Sequence, residues 1–139
     1  MSDIKAGFVG LGAMGQPMAG HLHKAGLLAC VWTRTPANTT AISAELGLAA
    51  PASLAELATQ CNVIALCVPQ DADVLADVET IAVHTRPGCV VIDHSTVSSR
   101  TAREAQARMR AAGGDLIDAP VSGGVEGARN GKLSIMVGG

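Results

Sequence analysis

The sequence predicts an α/β domain built on a doubly wound, mostly parallel β-sheet. Short apolar runs alternate along the chain with segments of helical period, which is the pattern of successive β-α-β units. The run VIALCV at 63–68 is apolar without interruption, as expected for a parallel strand that helices cover on both faces. The 139 residues, 48% of them hydrophobic, fit one domain, so we expect residues 1–139 to fold as a unit.

The individual elements follow from the apolar pattern and from residues that begin or end helices. Gly26 and Gly113 end predicted helices, Pro36 is a common first helical residue, and Ser53 can cap a short helix. The strands are predicted at 4–9, 28–32, 63–68, 90–93, 115–120 and 133–137. The helices are predicted at 13–25, 36–46, 53–58, 71–83 and 98–112.

The composition argues against several classes of protein. The net charge is −2, no basic block occurs, and the chain has one Phe, one Trp and no Tyr. A nucleic-acid-binding protein would need positive charge or aromatic stacking surfaces, so nucleic acid is not an expected partner. No apolar run is long enough for a membrane span, and residues 1–10 lack the pattern of a secretory signal. We therefore expect a cytoplasmic protein without membrane contact.

The four cysteines, Cys30, Cys61, Cys67 and Cys89, are scattered along the chain. They show no CxxC spacing, and no His/Cys pair has the spacing of metal ligands. We expect free thiols, mostly buried, in agreement with a cytoplasmic location, and no metal site.

The stretch GFVGLGAMGQPMAGHL at 7–22 is the most informative part of the sequence. Gly10, Gly12 and Gly15 form a G-x-G-x-x-G pattern that follows a predicted strand and opens a predicted helix. In Rossmann-type domains the first glycine allows a tight turn, the second lets the backbone approach a pyrophosphate, and the third lets helix and strand pack closely. The stretch therefore predicts a dinucleotide site, with a plain tight turn or an adenosyl-cofactor methyltransferase as alternatives.

The end of the second strand, VWTRTP, predicts which dinucleotide is bound. NAD-binding domains usually place Asp or Glu about 20 residues past the glycine loop, where it binds the ribose 2′-hydroxyl. Here no carboxylate occurs between Asp3 and Glu45. Arg34 lies at that place, flanked by Thr33 and Thr35, and a guanidinium with two hydroxyl groups can bind a 2′-phosphate. We predict NADP rather than NAD, the alternative being that Arg34 is a solvated surface residue.

Further ligand contacts are predicted where other strands end, because ligands of open α/β sheets lie outside the carboxyl ends of the strands. Cys67, Val68 and Pro69 follow the third strand, and we expect them beside the adenosine unless they form a plain loop. Ser95 and Thr96 follow the fourth strand, and we expect them near nicotinamide or substrate unless they only cap turns.

The stretch DAPVSGG at 118–124 predicts a second binding element. Ser122 supplies a hydroxyl group, and Gly123 and Gly124 can expose backbone N–H groups in a nest that binds a carboxylate. The alternative is a glycine-rich connection without a ligand.

Taken together, GFVGLGAMGQPMAGHL, TRT, CVP, DHST, DAPVSGG and GARNGKLSIMVGG resemble the N-terminal domain of the β-hydroxyacid dehydrogenases over nearly the whole chain. That family includes 3-hydroxyisobutyrate dehydrogenase, tartronate semialdehyde reductase and the glyoxylate/succinic semialdehyde reductases. The resemblance implies hydride transfer between NADP and a small β-hydroxy acid or semialdehyde. The cofactor contacts that it implies are Gly10, Leu11, Gly12, Ala13, Met14, Gly15, Thr33, Arg34, Thr35, Cys67, Val68, Pro69 and Thr96. The substrate contacts that it implies are Ser122, Gly123 and Gly124.

The resemblance also implies a part that lies outside these 139 residues. In the family an all-helical C-terminal domain follows, carries the lysine that acts as general acid/base, and completes the substrate pocket. Lys5, Lys24 and Lys132 do not match that lysine, and His94 receives no role, since a single histidine at a strand end is more often structural. We therefore expect a truncated chain without a catalytic residue, poorly active alone and able to self-associate through apolar surface. The alternatives are the N-terminal domain of an imine reductase and a non-catalytic NADP-binding module.

Overall fold

The computed structural model describes residues 3–138. Its strands are β1 (Ala6–Val9), β2 (Leu28–Trp32), β3 (Val63–Leu66), β4 (Val90–Asp93), β5 (Asp115–Asp118), β6 (Val121–Ser122) and β7 (Ser134–Ile135). Its helices are α1 (Gly15–Lys24), α2 (Pro36–Leu46), α3 (Leu54–Gln60), α4 (Asp71–His84), α5 (Ser99–Ala111) and α6 (Gly124–Arg129).

The main sheet has five parallel strands in the order β2-β1-β3-β4-β5. This arrangement confirms the predicted doubly wound, Rossmann-type fold. The chain leaves β1 toward β2 on one side and later returns to β3 on the other side, so the strand order reverses between β1 and β3. In open α/β sheets such a switch point opens a crevice beyond the carboxyl ends of the two strands, which is where ligands bind.

Helices cover both faces of this sheet, as the apolar run in β3 predicted. Ile64 and Leu66 of β3 are fully buried in a cluster with side chains from α3, α4 and α5. Ala65, which points to the opposite face because side chains alternate along a strand, lies in a second cluster with Phe8 of β1 and Ala19 of α1. A strand between two helical layers must be apolar on both sides, so VIALCV shows no alternation.

The predicted helix at 53–58 is confirmed as α3, with the capping arrangement that the sequence indicates. Ser53 Oγ accepts a hydrogen bond from the N–H of Glu56 at 3.1 Å, and Glu56 Oε2 accepts one from the N–H of Ala52 at 3.2 Å. These bonds satisfy amide groups that have no partner inside the helix.

The end of the chain departs from the prediction. The strand predicted at 133–137 is wrong in length, because β7 covers only Ser134–Ile135; it pairs antiparallel with Val121–Ser122, outside the main sheet. The strand predicted at 115–120 ends at Asp118. Helix α6 was not predicted, since GVEGAR contains two glycines and is too short to show a helical period.

Candidate functional site

A cleft of about 640 Å³ opens at the switch point between β1 and β3. Such a volume lies in the usual range for cofactor and small-molecule sites. Every residue predicted to contact the cofactor lines this cleft, as does Ser95, although these residues come from the ends of four different strands. The lining also includes Trp32, Asn38, Asp73, Asp77, His94 and Val121, which were not predicted to bind a ligand.

The three glycines of the loop between β1 and α1 serve different purposes. A side chain on Gly10 (φ +98°) would overlap the carbonyl oxygen of Cys67 at the end of β3, and one on Gly15 would overlap the carbonyl oxygen of Gly10. Both glycines are therefore needed for the close packing of the protein itself. Gly12 differs, because a Cβ built there would meet no described atom within 4 Å. The protein's own packing therefore does not require glycine at position 12. A glycine there is consistent with a loop whose backbone is closely approached by a ligand.

The start of α1 can hold an anion. Within the described chain, no side chain forms a hydrogen bond that caps this helix, and its first turn carries no acidic residue. The first backbone N–H groups of a helix lack partners inside the helix and lie at the positive end of its dipole. With the glycine loop directly before it, α1 presents the arrangement that binds the pyrophosphate of a dinucleotide.

The loop after β2 is held by a buried threonine. Thr39 Oγ1 of α2 accepts a hydrogen bond from the N–H of Thr33 at 3.0 Å and donates one to the carbonyl of Thr33 at 3.1 Å. This pair of bonds fixes the backbone from which Arg34 extends into solvent. Thr39 is 3% exposed, so the anchor is part of the core and the guanidinium lies at the edge of the cleft.

Two acidic side chains of α4 face the same end of the cleft. Asp73 lies 2.9 Å from the Nη1 atom of Arg34, and Asp77, one helical turn further, is 7% exposed. Burial, with a smaller contribution from the carboxylate of Asp73, raises the pKa of Asp77 to about 6, although the guanidinium of Arg34 opposes the shift. Sequence reasoning missed both acids, because it looked for a carboxylate only beyond the end of β2.

The ends of β3 and β4 are joined through Ser95. Its Oγ accepts a hydrogen bond from the N–H of Val68 at 2.9 Å, and its own N–H donates to Asp93 Oδ1 at 2.9 Å. Asp93 is fully buried, its Oδ2 has no partner among the described residues, and burial raises its pKa. The structure thus gives Ser95 a structural role in the cleft wall, and its contact with a ligand stays a prediction.

His94 lines the cleft with one ring nitrogen engaged. Its Nδ1 donates to the carbonyl oxygen of Ala119 at 2.8 Å, in the tautomer that leaves Nε2 as the acceptor of a neutral ring. None of the lysines within residues 3–138 lines the cleft. Lys5 precedes β1, Lys24 ends α1 and Lys132 precedes β7.

The predicted substrate-binding residues lie beside the cleft rather than in its wall. Ser122 is exposed in β6, and Gly123 and Gly124 begin α6 with φ values of +133° and +65°, which favour glycine. Val121, directly before them, does line the cleft. Nε2 of His21 in α1 bonds to the carbonyl of Ala128 in α6 at 2.8 Å, so this segment is tied to the helix that follows the glycine loop. Its binding of a carboxylate stays a prediction.

Residues 3–138 contain no group of three or more His, Cys, Asp or Glu side chains that could hold a metal ion. Across the same residues, no helix is long and apolar enough to cross a membrane.

Comparison with known proteins gives a consistent result. A family model described as the NAD binding domain of 6-phosphogluconate dehydrogenase matches residues 5–139. The 2-hydroxy-3-oxopropionate reductase of Escherichia coli is 37% identical over 98% of this chain and 47% of its own length. The NAD-dependent L-serine dehydrogenase of Pseudomonas aeruginosa is 36% identical over 95% of this chain and 45% of its own. The chain thus spans about half the length of the curated relatives it matches.

Solved structures show the same similarity. The 3-hydroxyisobutyrate dehydrogenase of Mycobacterium tuberculosis, solved with L-serine, superposes with a TM-score of 0.91 at 34% identity, over 98% of this chain and 46% of that one. An imine reductase from Pseudomonas sp. superposes with a TM-score of 0.80 at 23% identity, over 91% of this chain and 44% of that one. The second likeness is a likeness of fold alone.

Proposed function

Because the chain belongs to the family of NAD-binding domains described for 6-phosphogluconate dehydrogenase, we propose that its cleft binds NADP(H) for an oxidoreductase acting on a small hydroxy acid or semialdehyde. The observation that carries the proposal is the glycine loop. Gly10 and Gly15 are required by the protein's own packing, whereas the open space at Gly12 and the uncapped start of α1 suit a bound pyrophosphate.

The remaining residues of the cleft have separate tasks in this proposal. Arg34, with the hydroxyl groups of Thr33 and Thr35 beside it, binds the 2′-phosphate. The segment at 67–69 forms the wall beside the adenosine. Thr96, which is exposed at the end of β4, contacts the nicotinamide side.

The substrate proposal concerns the segment after β5. Bound nicotinamide supplies or accepts the hydride. Ser122, Gly123 and Gly124 hold the carboxylate of the substrate, with the hydroxyl group and the backbone N–H groups as donors. Small acids appear in the names of the relatives, among them L-serine and 2-hydroxy-3-oxopropionate.

The chain alone is proposed to bind the coenzyme with little turnover. Of the residues described, no lysine lines the cleft, and loss of a general acid typically lowers a rate about 10²–10⁴-fold. Oxidation of NADPH by 2-hydroxy-3-oxopropionate, the substrate in the name of the Escherichia coli relative, should therefore run about 10²–10⁴-fold more slowly with this chain than with that relative. A comparable rate would overturn this part of the proposal.

Self-association is proposed through the exposed apolar end of the described chain. Ile135, Met136 and Val137 are 51%, 57% and 70% exposed, and contiguous apolar surface favours association. Sedimentation of the chain at increasing concentration tests this, and a monomer over the whole range would contradict it.

The binding proposal is tested by calorimetric titration of the 139-residue chain with NADPH and, separately, with NADH. We expect saturable binding of both nucleotides with NADPH the tighter ligand. If neither nucleotide binds, the proposed function is overturned. If NADH binds more tightly than NADPH, the assignment to NADP is overturned.

A further inference from the structure

The ion pair between Arg34 and Asp73 bears on the choice of nucleotide. We propose that Asp73 is a specificity-determining residue, whose carboxylate limits the preference for the 2′-phosphate and lets the cleft accept the unphosphorylated nucleotide as well. The proposal rests on the proposed function of the same cleft. It concerns a residue on α4, an element that sequence reasoning did not connect with the ribose.

The geometry makes Asp73 the fixed member of the pair. Its side chain is 14% exposed in the wall of the cleft, whereas that of Arg34 is 70% exposed. Asp73 lies in the first turn of α4, and Arg34 extends from the loop after β2, so the pair joins two elements across the mouth of the cleft. The exposed guanidinium can turn toward a ligand, whereas the mostly buried carboxylate is held in the cleft wall, beside the place that we propose for the ribose substituent.

Electrostatics gives the direction of the effect. The end of the cleft holds one guanidinium, the carboxylate of Asp73 and the buried acid Asp77 one turn further along α4. A 2′-phosphate is attracted by Arg34 but repelled by Asp73, and salt screens such interactions between charges at a protein surface. A ribose 2′-hydroxyl carries no charge and can donate to a carboxylate. Asp73 therefore penalises the phosphorylated nucleotide selectively.

The same arrangement explains how an acid can reach the ribose although β2 ends without one. NAD-binding domains usually take this carboxylate from the end of the second strand. Here β2 is followed by Thr33 and Arg34, and the carboxylate comes from α4, which begins after β3. The Arg34–Asp73 pair thus combines a group for the phosphate with a group for the hydroxyl.

A neighbouring acid, Asp71, provides a control for the charge at the start of α4. Asp71 Oδ2 accepts hydrogen bonds from Ser98 Oγ at 2.9 Å and Thr101 Oγ1 at 2.7 Å, which tie α4 to α5. Asp71 is not part of the cleft lining. Asp71→Asn therefore removes the same charge from the same helical turn and serves as the matched control for Asp73→Asn.

The test is the ratio of dissociation constants for NADPH and NADH, measured by calorimetry on the wild type and both variants. Asp73→Asn should tighten NADPH about tenfold, and the gain should shrink at high salt. NADH should change less than about threefold, because the amide oxygen of Asn can still accept a hydrogen bond from the ribose 2′-hydroxyl. Asp71→Asn should leave the ratio within about twofold of wild type. Asp73→Ser is the second variant if Asp73→Asn does not fold.

Each other result counts against the proposal. An unchanged ratio in Asp73→Asn, or an equal change in Asp71→Asn, would overturn the role of Asp73 while the proposed function stands. Equal weakening of both nucleotides by Asp73→Asn would assign it a structural role only. If the wild-type chain binds neither nucleotide, the proposed function fails and this proposal fails with it.

Discussion

The Oγ atom of Ser95 accepts a 2.9 Å hydrogen bond from the backbone N–H of Val68, so a side chain at the end of β4 satisfies the main chain at the end of β3. Ser95 is 3% exposed, and Val68 packs against the core cluster beneath the cleft. The bond therefore fixes the two strand ends that form the wall of the site.

Replacing Ser95 should lower the free energy of unfolding. Ser95→Ala leaves the Val68 N–H without its acceptor, and an unsatisfied group of this kind costs about 1–3 kcal/mol. Urea unfolding measures the loss. The neighbouring change Thr96→Ala is the control, because Thr96 is exposed and should alter stability by less than about 0.5 kcal/mol. Equal stability of Ser95→Ala and wild type would contradict the role given to the bond.

Arg34→Ala should weaken the binding of NADPH much more than the binding of NADH. It removes the charge-assisted contact to a 2′-phosphate and leaves Asp73 without its counter-charge, so NADPH should bind about 10–100-fold more weakly. NADH should change less than about threefold, since it carries no 2′-phosphate. Arg100→Ala, an exposed change in α5, is the control. Equal losses for both nucleotides in calorimetry would refute the 2′-phosphate contact.

Asp77 should make stability fall as pH rises. Its folded pKa, about 6, lies above the ordinary value of 3.8, so the folded state favours the protonated carboxyl. The stabilisation is complete below about pH 3.8 and is lost as pH rises through about 6. Relative to Asp77→Asn, the free energy of unfolding of wild type should drop by about 2 kcal/mol between about pH 4.5 and 7.5.

Asp71 should change the pH dependence of stability in the opposite direction, so it serves as the comparison. Hydrogen bonds from Thr101 and Ser98 lower the pKa of Asp71, so its contribution to stability is lost as pH falls. Wild type measured against Asp71→Asn should therefore lose stability toward acid. A flat difference between wild type and Asp77→Asn over the same range would contradict the assignment for Asp77.

The sequence predicted the main sheet and the residues of the cleft because both depend on local patterns. A strand covered on both faces is an apolar run, as in β3, and a glycine loop between strand and helix has a fixed spacing. Strand ends converge on one edge of a parallel sheet, so Thr33, Cys67 and Thr96 could be placed together without knowing their contacts.

What escaped prediction depends on packing between distant segments. The contact between Arg34 and Asp73 joins the loop after β2 to α4, two segments far apart in the sequence, so no local pattern encodes it. Ser95 was predicted near a ligand, yet its hydroxyl bonds to Val68, since the register of β3 and β4 brings the two together. The strands β6 and β7 are two residues long, too short for a periodic signal.

The central claim is that the glycine loop accepts a nicotinamide nucleotide, and Gly12 tests it most directly. Gly12→Ala meets no described atom within 4 Å and should keep or slightly raise stability, whereas the added methyl group should weaken NADPH at least about tenfold. Gly20→Ala, at an equally open position in α1 away from the cleft, should change neither property adversely.

The measurement is energy transfer from Trp32, the one tryptophan of the sequence and part of the cleft lining, to bound NADPH. The wild type and Gly20→Ala should show saturable quenching of tryptophan emission, and Gly12→Ala should show at least about tenfold weaker binding with an undiminished Tm. The claim would be contradicted if NADPH did not quench the tryptophan emission of the wild type. It would also be contradicted if Gly12→Ala bound NADPH as tightly as the wild type.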